Sequence, residues 1–134
     1  MANPERGEVD LTLGGVTYLL RPSYEAMRAI ERQTGKTLLQ LSVSVAGGRY
    51  GGLTLDEMGI ILLEGIKAGV NPANDADKIK LSYSAAKLAE IAYSDYMATN
   101  MALERFLVNA ISGGKEPKKE KKSETDQTDP SIEN

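Results

Sequence analysis

The chain has 134 residues, 41% hydrophobic and 26% charged, which is the composition of one globular domain. It contains no cysteine and no histidine, which excludes disulfides, thiol nucleophiles, serine–histidine triads and zinc sites built from these ligands. Its 16 basic and 19 acidic residues leave a net charge of −3, with no basic surplus for a nucleic-acid backbone. We therefore expect a protein that is not an enzyme, uses no cofactor or metal, and does not bind nucleic acid.

The start of the sequence shows no signal for export or membrane insertion. No stretch approaches the roughly 20 apolar residues of a membrane span, and residues 1–6 lack the hydrophobic region of a signal peptide. We therefore expect a cytoplasmic protein without a membrane partner.

The end of the sequence differs in composition from the rest. Residues 113–134 contain five lysines, six carboxylates and one large aliphatic residue, Ile132. Such a segment cannot bury enough apolar surface to offset its conformational entropy. The composition predicts a disordered, charged tail after a single globular domain over residues 1–112.

Residues 7–21 have the pattern of a β-hairpin. Val9, Leu11 and Leu13 alternate with polar residues, and a Gly14-Gly15 pair separates them from a second apolar run. Two-residue hairpin turns need positive φ angles, which glycine adopts without a Cβ clash. We expect two antiparallel strands joined by this glycine pair.

Two helices are predicted next, over residues 23–35 and 38–46. Ser23 can cap the first and Gly35 can end it, with Tyr24, Met27 and Ile30 forming one apolar stripe. The second segment is apolar, but its β-branched valines also permit an extended conformation. The glycine-rich residues 47–52 then predict a flexible loop.

A third helix is predicted over residues 54–69. Thr54 and Glu57 fit a capping box, in which each side chain accepts a hydrogen bond from the other residue's backbone amide. Gly59 and Gly65 lie inside this helix, where glycine either weakens it or allows a neighbour to approach closely.

A long helix is predicted over residues 82–112, with two apolar stripes. The core stripe consists of Leu88, Ala92, Tyr96, Thr99, Leu103, Phe106 and Ala110. The other stripe is either buried, as in a helix packed on both sides or broken near Asn100, or exposed for a partner. The candidate partner-binding residues are Tyr93, Met97, Met101 and Val108 of this second stripe, with Arg49 and Tyr50 of the glycine-rich loop.

Together these elements predict an α+β, mostly α fold. An N-terminal β-hairpin packs on a small bundle of three to four helices, and the charged tail follows. Neither a phosphate-binding loop nor a calcium loop is supported, since Gly35-Lys36-Thr37 lacks the first glycine of the former and residues 71–82 lack the turn glycine of the latter.

The order of these segments resembles the gene transfer agent family of phage tail proteins, over residues 3–111. The resemblance lies in the order of residues 3–9, a hairpin closing in residues 18–22 and a helix over residues 26–35 that ends in residues 34–38. It continues with a helix start at residues 53–56, the helix over residues 60–69 and a final long helix before a polar tail.

This resemblance implies a tail assembly chaperone, made by a phage or prophage and acting in the cytoplasm of the bacterial host. Its partners would be the tape measure protein and the tail tube protein, and self-association is left open. The alternative is a structural tail component, a tube or terminator subunit, that stays in the virion tail. A small regulatory or nucleic-acid-binding domain is disfavoured by the charge balance.

Overall fold

The computed structural model describes residues 2–47, 51–70 and 80–115. A 3₁₀ turn at Pro4–Arg6 precedes a hairpin of strands β1 and β2, and five α-helices follow in the described residues. The predicted α+β, mostly α class is confirmed, whereas the predicted tail beyond residue 115 lies outside the described residues. The elements are β1 (Val9–Leu13), β2 (Val16–Leu20), α1 (Tyr24–Thr34), α2 (Leu38–Val45), α3 (Leu55–Gly69), α4 (Ala85–Ser94) and α5 (Tyr96–Ile111).

The hairpin follows the sequence pattern closely. The strands pair antiparallel with Leu13 opposite Val16, so the turn is the Gly14-Gly15 pair. Both glycines have positive φ, 56° and 80°, as a twisted two-residue turn requires. Burial alternates along β1, with its three apolar side chains facing the core and its polar ones facing out. The predicted hairpin is therefore confirmed.

Helix α3 lies at the centre of the fold and packs against α1, β2, α4 and α5. Two of its glycines allow the closest approaches, because a Cβ on Gly59 would overlap the carbonyl oxygen of Ala85 in α4, and one on Gly69 would overlap that of Leu19 in β2. Close packing, rather than a weak helix, explains these glycines. The fully buried side chains of α3 are Met58, Ile61, Leu62 and Ile66.

Four helices begin with a hydroxyl side chain that accepts a hydrogen bond from the backbone amide three residues later. The bond satisfies an amide that has no partner inside the helix. Thr37 also forms a capping box with Gln40, and this local signal favours helix over strand for α2. The capping residues are Ser23, Thr37, Thr54 and Ser84.

The last predicted helix is divided at Asp95, and the prediction of one continuous helix over residues 82–112 is wrong. Asp95 has φ −130° and ψ 49°, outside the helical region, and its amide donates to Ala92 as in a tightened last turn. The two parts have different partners, since α4 packs mainly on α3 whereas α5 packs on α2 and β1. A single straight helix could not pack on both sets of neighbours. The alternative interpretation placed a break near Asn100, and the observed break lies five residues earlier.

Two tyrosines of the predicted apolar stripes, Tyr24 and Tyr96, are exposed, and the placement of Tyr96 in the core stripe is wrong. Tyr24 is 73% exposed on α1, where the Arg28 guanidinium lies 5.8 Å from its ring centroid. Tyr96 is 38% exposed at the start of α5. A tyrosine ring with a polar tip is tolerated at the surface, so the core of α1 is built from Ala26, Met27 and Ile30.

The two ends of the described chain meet. The Asn109 side-chain amide, at the end of α5, donates to the Gly7 carbonyl at 3.0 Å. A Cβ on Gly7 would lie only 2.8 Å from the Gly114 carbonyl oxygen, and the Gly114 amide donates to Asn109. These contacts continue two residues beyond the predicted domain boundary at residue 112.

Candidate partner-binding surface

Helix α5 has one buried face and one exposed apolar face. Thr99, Leu103 and Phe106 are fully buried, whereas Met97 and Met101 are 68% and 59% exposed. The two methionines are four residues apart, so their side chains are neighbours on the helix surface. Of the second predicted stripe, this pair therefore faces solvent.

The other predicted partner-binding residues differ in position. Tyr93, in the last turn of α4, is 68% exposed, but the break at Asp95 separates it from the helix that carries the methionines. Val108 lies near the end of α5 and is only half-buried. Arg49 and Tyr50 lie outside the described residues.

The buried face of α5 fixes the direction of the exposed one. A Cβ on Gly65 in α3 would lie 3.1 Å from Phe106 Cζ, so the phenyl ring packs directly over this glycine. Leu103 and Leu107 belong to the same core. Rotating α5 to bury its methionines would expose these three side chains. The methionines thus stay at the surface because larger groups occupy the core.

Helix α2 adds a second exposed apolar pair that sequence reasoning did not identify. Leu39 and Val43 are 62% and 63% exposed and are also four residues apart. Their helix packs on α5, and the Asn100 side-chain amide donates to the Val45 carbonyl at 3.4 Å. The sequence did contain a signal for this pair, because Leu41 and Val45 have the same spacing and mark the buried face of a helix whose aliphatic residues lie on both faces.

The region near the α2–α5 contact also contains polar atoms without partners. Thr99 Oγ1 and Asn100 Oδ1 are buried and accept or donate no hydrogen bond among the described residues. Leaving such an atom unpaired costs about 1–3 kcal/mol. The first two turns of α5 are therefore packed less favourably than its second half, where Leu103 and Phe106 lie.

No protein-family model, no curated protein and no solved structure matches this chain. The resemblance to the gene transfer agent family stays a prediction.

The buried carboxylates each have a structural partner. Glu8 accepts from the Asn3 amide at 2.9 Å and pairs with Arg6, and Glu64 accepts from the Gln33 side chain at 2.8 Å. No group of three or more potential metal ligands occurs in the described ranges. These carboxylates join elements of the fold to one another. A shallow groove of about 340 Å³ beside Glu64 is lined by Ser23, Glu25, Ala26, Glu64, Lys67 and Ala68.

Glu57 forms the shortest ion pair among the described residues, with Lys36 Nζ at 2.6 Å. Burial favours the protonated carboxyl, but the hydrogen bonds from Lys36 and from the Thr54 backbone outweigh it and lower the pKa of Glu57 below its ordinary 4.5. The pair ties the loop between α1 and α2 to the start of α3. Its stabilising effect is present above about pH 4.5 and is lost as the pH falls through the lowered pKa.

We expect Glu57→Gln to lower the free energy of unfolding by about 1 kcal/mol at pH 7, because the amide keeps the cap but loses the charge, and Lys36 is partly exposed. The difference from the wild type should shrink below pH 4.5. Urea unfolding at several pH values measures it. Glu90→Gln, in an ion pair exposed on both sides, is the control and should change stability by less than about 0.5 kcal/mol. A difference that persists at pH 3 would contradict this account.

None of the helices in the described ranges is both long and apolar enough to cross a membrane.

Proposed function

We propose that this protein is a tail assembly chaperone of a phage or prophage, which binds the tape measure protein and assists assembly of the tail tube around it. The observation that carries the proposal is the exposed apolar pair of Met97 and Met101. Its location is the host cytoplasm. The resemblance stated from the sequence supplies the biological setting, and the surface supplies the physical means.

The chemistry of this surface suits a helical client. An amphipathic helix binds by laying its apolar face on another apolar face, with anchors spaced three or four residues apart. Methionine is unbranched and polarizable, so it adapts to partners whose surfaces differ in detail. A long helical protein presents many such surfaces in succession. Met97 and Met101 match this requirement in spacing and in exposure.

The exposure of the surface also fits temporary binding. Solvent-exposed apolar side chains are costly to leave uncovered, and monomers rarely keep large patches of them without a use. The two methionines contribute little to the core, because Leu103 and Phe106 fill it. A partner can thus bind and leave while the fold stays intact.

The alternative is a structural subunit that stays in the tail. It is favoured by the hairpin, whose two strands pair only with each other among the described residues, so that neither has a further strand beside it. Strands of five residues offer a short edge, however, and a continuous tube needs an extended intersubunit sheet. The chaperone is therefore our first proposal.

Mass spectrometry of purified particles and of the lysate from the producing cells separates the two roles. We expect peptides from residues 1–112 to be abundant in the lysate and missing from the particles. Their stoichiometric presence in particles would overturn the chaperone and establish the structural subunit.

We further expect Met97→Glu combined with Met101→Glu to reduce the tape measure protein that co-purifies from these cells at least tenfold, since burying a methionine contributes about 1.5–3 kcal/mol. The melting midpoint should barely change, because exposed sites contribute within about 0.5 kcal/mol.

Tyr24→Glu is the matched control for this pair of substitutions. Tyr24 is equally exposed but lies on α1. It should leave both co-purification and stability unchanged. Undiminished co-purification in the methionine variant, or its unfolding, would contradict the proposed surface.

A further inference from the structure

The outer faces of α2 and α5 share an unusual property, which is a lack of charge. No residue between Lys36 and Arg49 is charged, and none between Asp95 and Glu104, in a chain that is 26% charged. Within these stretches Leu39, Val43, Met97 and Met101 are each more than half exposed. We call these four residues the α2–α5 surface.

We propose that the α2–α5 surface is covered, when no other partner is bound, by the same surface of a second copy of this chain. The two helices pack on each other, and Asn100, beside Met101, reaches the Val45 carbonyl. The two apolar pairs thus lie on neighbouring helices. The pairing is independent of the proposed function, although a tape measure protein bound at Met97 and Met101 would compete with it.

The charge pattern favours a second copy over a differently charged partner. In a two-fold interface a surface must be complementary to itself, so each charge on it needs an opposite charge placed across the axis, and a charge on the axis meets its own copy. A surface without charges meets this requirement without any such pairing, whereas a partner selected by charge needs charges to recognise. Homodimer interfaces are also the more apolar class, with methionine enriched and lysine, aspartate and glutamate depleted. The α2–α5 surface has this composition.

The area is sufficient for a weak dimer. Four side chains of this size and exposure present on the order of 500 Å² per copy, so pairing would bury about 1,000 Å², the lower limit of a specific interface. Neither helix provides this area alone. Both apolar pairs are therefore needed, and the dimer should dissociate readily on dilution.

Sedimentation of the full chain from about 1 to about 200 µM tests the pairing. We expect the mass to rise with concentration from 14.5 kDa toward twice that value. Two variants, one combining Leu39→Glu with Val43→Glu and the other Met97→Glu with Met101→Glu, should each weaken association at least tenfold. Tyr24→Glu, at a side chain 73% exposed on α1, should associate like the wild type.

A charge-swap experiment tests whether the surface meets itself. The variant with lysine at all four positions of the α2–α5 surface should stay monomeric alone, but should form a heterodimer when mixed with the variant carrying glutamate at the same four positions, whichever helix faces which. Far-ultraviolet circular dichroism confirms that both are folded.

Several results would overturn the inference. They are a wild type that stays monomeric throughout, an effect confined to one of the two helices, loss of association in the Tyr24 control, or no heterodimer in the mixture. The dimer is tested on the purified chain, whereas the proposed function is tested by co-purification of the tape measure protein from cells. Failure of the dimer and failure of the proposed function are therefore distinguishable.

Discussion

Replacing Phe106 by alanine should lower the free energy of unfolding by about 3–5 kcal/mol, the largest effect we expect from a single side chain. The phenyl ring is fully buried and packs over Gly65, where α3 and α5 come together. Its removal takes away apolar contacts and leaves a cavity that the helices cannot fill without moving. Natural domains are stable by only about 5–15 kcal/mol, so the variant should lose a large fraction of its stability. Urea unfolding followed by circular dichroism measures the change.

Met101→Ala is the control for this prediction, because the same helix carries Met101 on its exposed face. Removal of a side chain already in water should change stability by less than about 0.5 kcal/mol. Equal losses at Phe106 and Met101 would mean that the two faces of α5 are assigned wrongly.

Gly59→Ala should destabilise the protein by about 1–3 kcal/mol, although alanine is the better helix former by about 1 kcal/mol. The gain in helix propensity stabilises the protein and the clash with α4 destabilises it, so the sign of the measured change shows which effect is larger. The new methyl group would overlap the Ala85 carbonyl oxygen and lie 3.0 Å from the Ala89 Cβ. Backbone cannot yield as a flexible side chain can, so α4 would have to move away from α3. The midpoint of thermal unfolding records the result.

Gly65→Ala provides the comparison in the same helix. Its Cβ would meet side-chain atoms only, with Phe106 Cζ at 3.1 Å and Leu20 Cδ2 at 3.4 Å. These atoms can shift by a few tenths of an ångström, so the loss should be smaller than at Gly59. A stabilised Gly59→Ala variant would show that α3 and α4 are not in close backbone contact.

The parts of the fold that the sequence predicted correctly depend on neighbouring residues. The Gly14-Gly15 turn, the Ser23 cap and the Thr54–Glu57 capping box each form within a few residues, so their patterns can be read directly. The burial of Leu103 and Phe106 was predicted from helical spacing, because residues three or four positions apart lie on the same face of a helix.

The parts that it missed depend on contacts distant in sequence. Asp95 breaks a helix whose two halves pack on different neighbours, and nothing near Asp95 identifies those neighbours. The Lys36–Glu57 ion pair joins residues 21 positions apart in a way that composition cannot predict. On the candidate surface, spacing placed Met97 and Met101 on one face. Their exposure, and that of Leu39 and Val43, became visible only once the core was filled.

The meeting of Gly7 and Gly114 has a practical consequence for handling the molecule. Helix α5 rises about 1.5 Å per residue, so Met97 lies roughly 18 Å from Asn109, which hydrogen-bonds to both Gly7 and Gly114, and is at the far end of the helix. A surface linkage made near Gly7 or near Gly114 would thus hold the protein by the same pole. Immobilised in this way, the protein would present Met97 toward the solution, where a captured chain could reach it.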